Sequence, residues 1–507
     1  MQDHSIKQLL RRLIKNASIY GLGTLLAKAG NFVLLPFYWK KLSPAEFGVI
    51  GVCQIVTLFL APVLELGLSN TVQRLYLEWK ENERPLYLGA LLSISLAWSV
   101  LTCGALQLAG RGFFKIFFES VEFHPNLEIT LWTAFFLNLS MIPFGLMRIR
   151  EEMKRFTTFN FLAFAAQAAF ALYFLYGLDW GVRGYLLAGL LSAALTGVWL
   201  SVSALREAKL GFGWSHVRDP MKYGLPTLPA ALIEGGGSVL DRYFLDKTAS
   251  LSSIGFYTVA RQFGLVYNVF AQILKASWIP FTYRLVAERT DSAKVFARLS
   301  VVYYALLVAG SLGVAAFAPD LLIMLRNPSY LPARELIPWV VLGFFVNSVG
   351  QGLGRGLDLS MRTGFMAFAP AVGLILTWFG CVSLIPRYGV AGAIAVFVGV
   401  QLARTVIELV FGALFYPRPS YWPQFLGMTA IGAAAYAICA RLPTEHSLAA
   451  SLALKTLVVT ASFAGLFGIL LRMQGRNDPW AAIQVFLAGK AKSSMRGRSS
   501  KTPARPD

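Results

Sequence analysis

Residues 20–52 read YGLGTLLAKAGNFVLLPFYWKKLSPAEFGVIGV, and residues 223–260 read YGLPTLPAALIEGGGSVLDRYFLDKTASLSSIGFYTVA. Each stretch opens on Tyr-Gly, crosses a long apolar segment broken by helix-disrupting residues, passes a Leu-Ser turn and starts a second apolar segment with a Gly/Phe pair. In the first, Lys28 sits mid-segment among Gly21, Gly23, Gly30 and Pro36; in the second, Glu234 precedes Gly235, Gly236 and Gly237 and follows Pro226 and Pro229. Charge and breakers are costly in hydrocarbon, so they persist where they line a cavity or do work. Interrupted apolar segments at corresponding places in two halves are the sequence sign of a transporter's binding region. The two stretches therefore read as an internal repeat.

Composition agrees with a membrane setting. The 507 residues are 56% hydrophobic and 14% charged, against roughly 25% charged in an ordinary soluble domain. The apolar residues fall in about fourteen runs long enough to cross a bilayer, which takes about 20 helical residues. These lie near 17–39, 47–69, 88–109, 129–147, 157–177, 183–204, 221–244, 253–274, 297–317, 335–354, 364–385, 389–414, 423–440 and 449–471. The expected architecture is an all-α polytopic membrane protein. Its six-helix lobes cover 1–205 and 206–417, with an accessory helix pair and basic tail over 418–507. An even number of spans separates the copies, so both lobes share one orientation.

The net charge of +20 is explained by orientation rather than by nucleic acid. With the N-terminus inside, even-numbered loops and both termini carry about 31 Lys and Arg and odd-numbered loops about 11, as the positive-inside rule requires. No basic face on a soluble module is available for nucleic acid. Residues 5–16, SIKQLLRRLIKN, place Ile6, Leu9, Leu10 and Leu13 against Lys7, Arg11, Arg12 and Lys15, a pattern suited to the surface of an anionic leaflet. The tail from Lys490 is basic and reads as disordered. Span one is too long for a cleavable signal.

Cys53, Cys103, Cys381 and Cys439 are scattered singly, and His4, His124, His216 and His446 lie in loops or termini. Neither a disulfide framework nor a metal cluster is expected, and no nucleotide-binding Walker pattern is present. The chain is expected to need no cofactor and to have no catalytic residues; any drive for transport comes from a gradient or the membrane potential.

From Ser18 onward, YGLGTLL, the LSPAEFG turn, ELGLS and TVQRLYLEW resemble the start of Wzx-type oligosaccharide flippases, of the multidrug/oligosaccharidyl-lipid/polysaccharide exporter superfamily. VLDRYFLDK and LSSIGFYTVARQFG resemble the start of that family's second lobe. The resemblance covers twelve spans; the extra pair is closer to the lipid II flippase relatives. It implies a V-shaped bundle whose central cavity alternates between membrane faces and moves a polyprenyl-pyrophosphate-linked oligosaccharide outward across the bacterial inner membrane. It also implies membrane lipids, a polysaccharide polymerase and a chain-length regulator as partners.

The intramembrane residues supply candidates. Lys28 shares a helical face with Tyr20, Thr24 and Asn31, and Arg261 with Asn268 and Gln272. One cation from each lobe suits a pyrophosphate, Arg through a bidentate fork and Lys as a point charge. Arg242 is a third substrate-binding candidate. Glu234, Glu65 and Asp241 are candidates for ion coupling or gating, since a carboxylate beside a mobile break changes protonation as its surroundings alternate. Asp241 and Arg242 are expected to be comparatively exposed near the outer end of span seven. Arg404 and Glu408, four apart, are expected to pair; Lys455 is expected to snorkel to the outer interface. Asn347, Gln351 and Arg355 read as lobe packing or cavity lining. The alternatives are a drug antiporter of the same superfamily, whose cationic substrates suit acidic cavities, and a membrane glycosyltransferase, polymerase or ligase, which calls for a larger catalytic loop.

Overall fold

The computed structural model describes residues 30, 33–209, 214–288, 292–324, 327–359, 368–417, 419, 421–442 and 448–472. Lys28 and the amphipathic and basic termini lie outside the described residues. The described residues are helices and short connections. After the helical residues 33–41 come α1 Pro44–Glu65, α2 Leu68–Leu75, α3 Arg84–Phe117, α4 Glu128–Ile149, α5 Met153–Leu172, α6 Gly181–Leu205, α7 Trp214–Gly224 and α8 Leu228–Thr248. They are followed by α9 Leu251–Glu288, α10 Ser292–Met324, α11 Ala333–Leu353, α12 Phe368–Phe415, α13 Trp422–Arg441 and α14 Leu448–Arg472.

Ten of these helical stretches are long and apolar enough to span a bilayer. One of the ten, α12, is 48 residues long and contains Gly389 at φ 53° and ψ −127°. The chain doubles back there: Gly380 faces Val396, and Gly373 faces Arg404 and Val400. One continuous helical run thus supplies the two separate spans expected over 364–385 and 389–414. A non-glycine residue at Gly389 would be strained by its φ.

The turn of the first repeat is fixed locally. Ser43 Oγ accepts from the Glu46 N–H at 3.3 Å while Glu46 Oε2 accepts from the Ser43 N–H at 2.8 Å, a capping box followed by Pro44 in the first turn. In the second repeat Ser250 Oγ accepts from the Ser253 N–H at 3.2 Å. The capping serines match if Ser43 is aligned with Ser250, two residues away from the Leu-Ser match seen in sequence. That register places Pro44 opposite Leu251 and Gly48 opposite Gly255. The contacts obey it: a Cβ on Gly48 would overlap the Leu251 carbonyl, and a Cβ on Gly255 would overlap the Pro44 carbonyl. The first turns of α1 and α9 cross backbone to backbone, which only small residues permit. At its other end α1 stops at Leu66 and Gly67, with φ 50° and 69°. Gly67 lies so close to the Gly224 carbonyl and Thr227 that no side chain fits.

Two compact units divide the described residues, within the ranges that follow. The first comprises 1–269, 321–344 and 366–404, the second 270–320, 345–365 and 405–507. In the first, Leu68, Val72, Leu88, Leu91 and Ile142 form a core at the α2–α3–α4 junction. In the second, Leu312, Ala316, Ala435, Cys439 and Val459 join α10 to α13 and α14.

The second unit overturns the reading of Lys455. Its side chain does not reach an interface: it is 2% exposed, and its Nζ donates to both carboxylate oxygens of Asp320 at 2.8 and 2.7 Å and to the Ala316 carbonyl at 3.4 Å. Sequence reading placed Asp320 in a loop, whereas α10 continues to Met324 and buries it completely. A buried partner carboxylate holds the ammonium inward more strongly than snorkelling draws it out.

Candidate functional site

The charged residues of the second repeat converge within the first unit. Asp241 and Arg242 lie on α8, at 5% and 4% exposure, so the expectation of comparative exposure is corrected. The reason is a set of partners supplied by α9. Tyr257 Oη donates to Asp241 Oδ2 at 2.8 Å, Arg242 Nη2 reaches Thr258 Oγ1 at 3.5 Å, and the Arg242 guanidinium stands 4.2 Å above the Tyr257 ring. Between the two neighbours, Arg242 Nη1 is 3.9 Å from Asp241 Oδ1. A desolvated guanidinium over an aromatic face recovers part of its lost hydration.

Arg261, one turn after Tyr257 on α9, donates from Nη2 to Ser238 Oγ at 3.3 Å. Its guanidinium also faces three rings, Phe397 at 4.7 Å, Phe344 at 5.5 Å and Tyr257 at 5.8 Å. The structure therefore brings together Arg261, Asp241 and Arg242 of the six candidates. Glu65 closes α1 and faces Ser69, with Arg148 the nearby cation; it is no partner of the Arg261 cluster. The side chain of Glu234 lies outside the described residues, as does Lys28.

Beside this cluster is a polar pocket of about 80 Å³ between α8, α9 and α12, lined by Ser238, Asp241, Arg261, Thr377, Gln401 and Arg404 among others. Arg404 enters it by running its methylene stem across Gly373, and Glu408 lies over Gly350 and Gly354. An apolar cavity of about 810 Å³ adjoins the same stretch of α8 and α12; Phe59, Phe113, Phe117, Tyr243, Trp378 and Phe379 are among its walls. Leu374 lines both spaces.

Sequence reading missed Lys275. It was counted outside span eight, but α9 runs on to Glu288, and Lys275 Nζ donates to Gln351 Oε1 at 2.6 Å, with Gln351 Nε2 donating to Asn347 Oδ1 at 3.2 Å. The polar stripe on α11 thus has a hydrogen-bonding partner within the second unit. Trp278, Ile279 and Phe281 beyond residue 274 were the sequence sign that the helix runs on, with Lys275 and Pro280 arguing against it.

One end of the first unit is tightly closed. Tyr330 Oη donates to the Leu42 carbonyl at 2.8 Å and Asn327 Nδ2 to the Trp39 carbonyl at 2.7 Å. Asp246, at the end of α8, accepts from the Ser120 hydroxyl and from the backbone N–H groups of Glu119 and Ser120. Together with the Gly48–Gly255 crossing these contacts tie down the two repeat turns.

Residues 13–286 match the family described as polysaccharide biosynthesis protein. The chain belongs to that family. A protein of the Lsg locus of Haemophilus influenzae is 20% identical to this polysaccharide biosynthesis protein over 411 residues, covering 76% of this chain and 96% of the relative. In fold it is similar to the lipid II flippase MurJ in an inward closed conformation, with a TM-score of 0.72 at 13% identity, over 90% of this chain and 99% of that one. An inward-facing multidrug resistance transporter of the MATE family superposes with a TM-score of 0.56 at 16% identity, over 78% of this chain and 94% of that one. The family member described here is a multi-pass membrane protein with the two-lobe transporter fold, as its sequence resemblance implied.

Proposed function

We propose that the chain flips a polyprenyl-pyrophosphate-linked oligosaccharide from the cytoplasmic to the outer face of the bacterial inner membrane, by alternating access. Membership of the polysaccharide biosynthesis family carries this reading, and the lipid II flippase fold supports it. Arg261, with Arg242 behind it, offers the cationic, aromatic-walled surface that an anionic headgroup needs, and Lys28 is its proposed counterpart from the first repeat. Asp241, Glu234 and Glu65 are the proposed coupling or gating groups. On this reading both termini are cytoplasmic, the closed end of the first unit faces outward, and the lobes are 1–205 and 206–417 with 418–507 accessory. A polymerase and a chain-length regulator are proposed to take over the flipped product.

The apolar, aromatic cavity favours a second reading, efflux of an apolar drug. Proteoliposomes discriminate the two. A labelled lipid-linked oligosaccharide enclosed on one leaflet should become accessible to an enzyme added to the other leaflet only when the protein is present. Transport of lipophilic cations without movement of the lipid-linked sugar would reverse the assignment. Formation of a glycosidic bond by the purified chain would establish an enzyme instead.

A further inference from the structure

We propose that the aromatic cavity between α1, α3, α8 and α12 holds the isoprenoid chain of the lipid-linked substrate, and that the glycine triplet of α8 is the passage joining it to Arg261. The inference rests on the flippase reading and assigns a site to the lipid half of the substrate.

The walls decide what enters. Among the described residues that line this cavity of about 810 Å³, eight are aromatic, Thr102 and Tyr243 alone carry a hydroxyl, and none is charged. A charged or sugar group brought onto such walls loses its hydration and gains no partner. Water fares no better, since apolar cavities stay dry. The occupant is therefore hydrocarbon, in a space within the roughly 300–1,000 Å³ of ligand pockets. Phe59, Ile375 and Phe379 in the walls are exposed, and exposed apolar surface on membrane spans meets lipid chains, so the way in is from the bilayer.

The glycines connect this space to the charged one. Glycine is the poorest helix former after proline, yet Gly235, Gly236 and Gly237 stand in a row inside α8. None has a positive φ that would demand glycine. Packing accounts for only part of the triplet. A Cβ on Gly236 would come to 3.0 Å from Leu374 Cδ1, but one on Gly237 would make ordinary contact with Thr377 at 3.6 Å and one on Gly235 would meet nothing within 4 Å. Their shared property is position. Gly236 lines the aromatic cavity and Gly237 the polar pocket, with Leu374 facing both. The partition is thus helix backbone and one leucine side chain, and turning that side chain joins the two spaces. Ser238, the next residue, accepts from Arg261 Nη2 at 3.3 Å. The headgroup anchor and the start of the hydrocarbon path therefore lie within one turn of α8. A polyprenyl diphosphate has that layout, because its charge sits directly on the chain. A phospholipid interposes a glycerol ester between phosphate and hydrocarbon.

The test uses the full-length protein in nanodiscs and a polyprenyl diphosphate carrying a diazirine on the isoprene units nearest the diphosphate. Illumination should label residues 113–118 and 374–379, read by peptide mass spectrometry, a result that needs no variant. Excess unlabelled polyprenyl diphosphate should suppress this labelling at least tenfold, and the same excess of phosphatidylglycerol should not. Gly236→Leu should also reduce it at least tenfold while gel filtration still gives a monodisperse peak. A triplet serving only as a hinge would leave equilibrium labelling unchanged in that variant and lose only flipping, which would overturn the passage. Labelling confined to other helices in a protein that flips the lipid-linked sugar, or equal competition by phosphatidylglycerol, would overturn the inference and leave the flippase reading standing. Displacement of the probe by tetraphenylphosphonium in a protein that flips no lipid-linked sugar would overturn both.

Discussion

The fate of individual charges was partly legible in sequence, and the divide has a physical origin. Arg261 stood out because a guanidinium inside an apolar run demands a reason. Its surroundings did not, since Phe344 and Phe397 come from α11 and α12 and reach it only through the fold. We expect Lys28→Ala and Arg261→Ala each to reduce flipping more than tenfold with expression and insertion unchanged, because a charged contact to the headgroup is lost. Lys28→Arg should retain more activity than Lys28→Ala, whereas Arg261→Lys should stay impaired if the fork geometry is required. Normal flipping by the double alanine variant would exclude this anchor. Lys455 now carries the opposite expectation to snorkelling. With Asp320 wholly buried, Lys455→Ala leaves an unpaired carboxylate and should cost about 3–5 kcal/mol. It should be visible as a lowered thermal midpoint, and Lys455→Met with Asp320→Leu should recover most of the loss.

At the scale of helices, span positions were readable because each apolar run has the length of a bilayer crossing. Ends and partners were less so. Sequence reading ends span eight at 274, before Lys275, while α9 continues past Pro280 to Glu288. The repeat was visible, yet its register was displaced by two residues, because the eye aligns Leu-Ser with Leu-Ser while the helix caps align Ser43 with Ser250. The contact between α1 and α9 gives a direct check. Gly48→Leu and Gly255→Leu each place a side chain into the facing backbone and should lower both thermal midpoint and flipping, whereas Gly104→Leu and Gly189→Leu, which meet nothing within 4 Å, should be close to neutral. Equal loss in all four variants would show that added bulk anywhere, not the crossing, governs the effect, since Leu is a better helix former than Gly.

For the whole molecule, sidedness is the expectation most open to measurement. Positive-inside counting puts 124 and 446 outside and 216 inside. His216 packs edge-on against Tyr87 at 4.5 Å, so poor labelling there would report packing rather than sidedness; the exposed Arg218 is the better probe. In a cysteine-free background, cysteine at 124 or 446 should react with an impermeant reagent from outside and cysteine at 218 should not; the reverse pattern inverts the topology. The Gly48–Gly255 crossing also bears on ancestry. Gly48 meets Leu251 as Gly255 meets Pro44, an exchange of equivalent residues that two identical subunits make about a two-fold axis. A chain carrying one copy of the repeat would have in this patch the means to pair with itself. Joined in one chain, neither copy needs to be its own partner, and the two broken segments are free to differ, as they do in carrying Lys28 and Glu234.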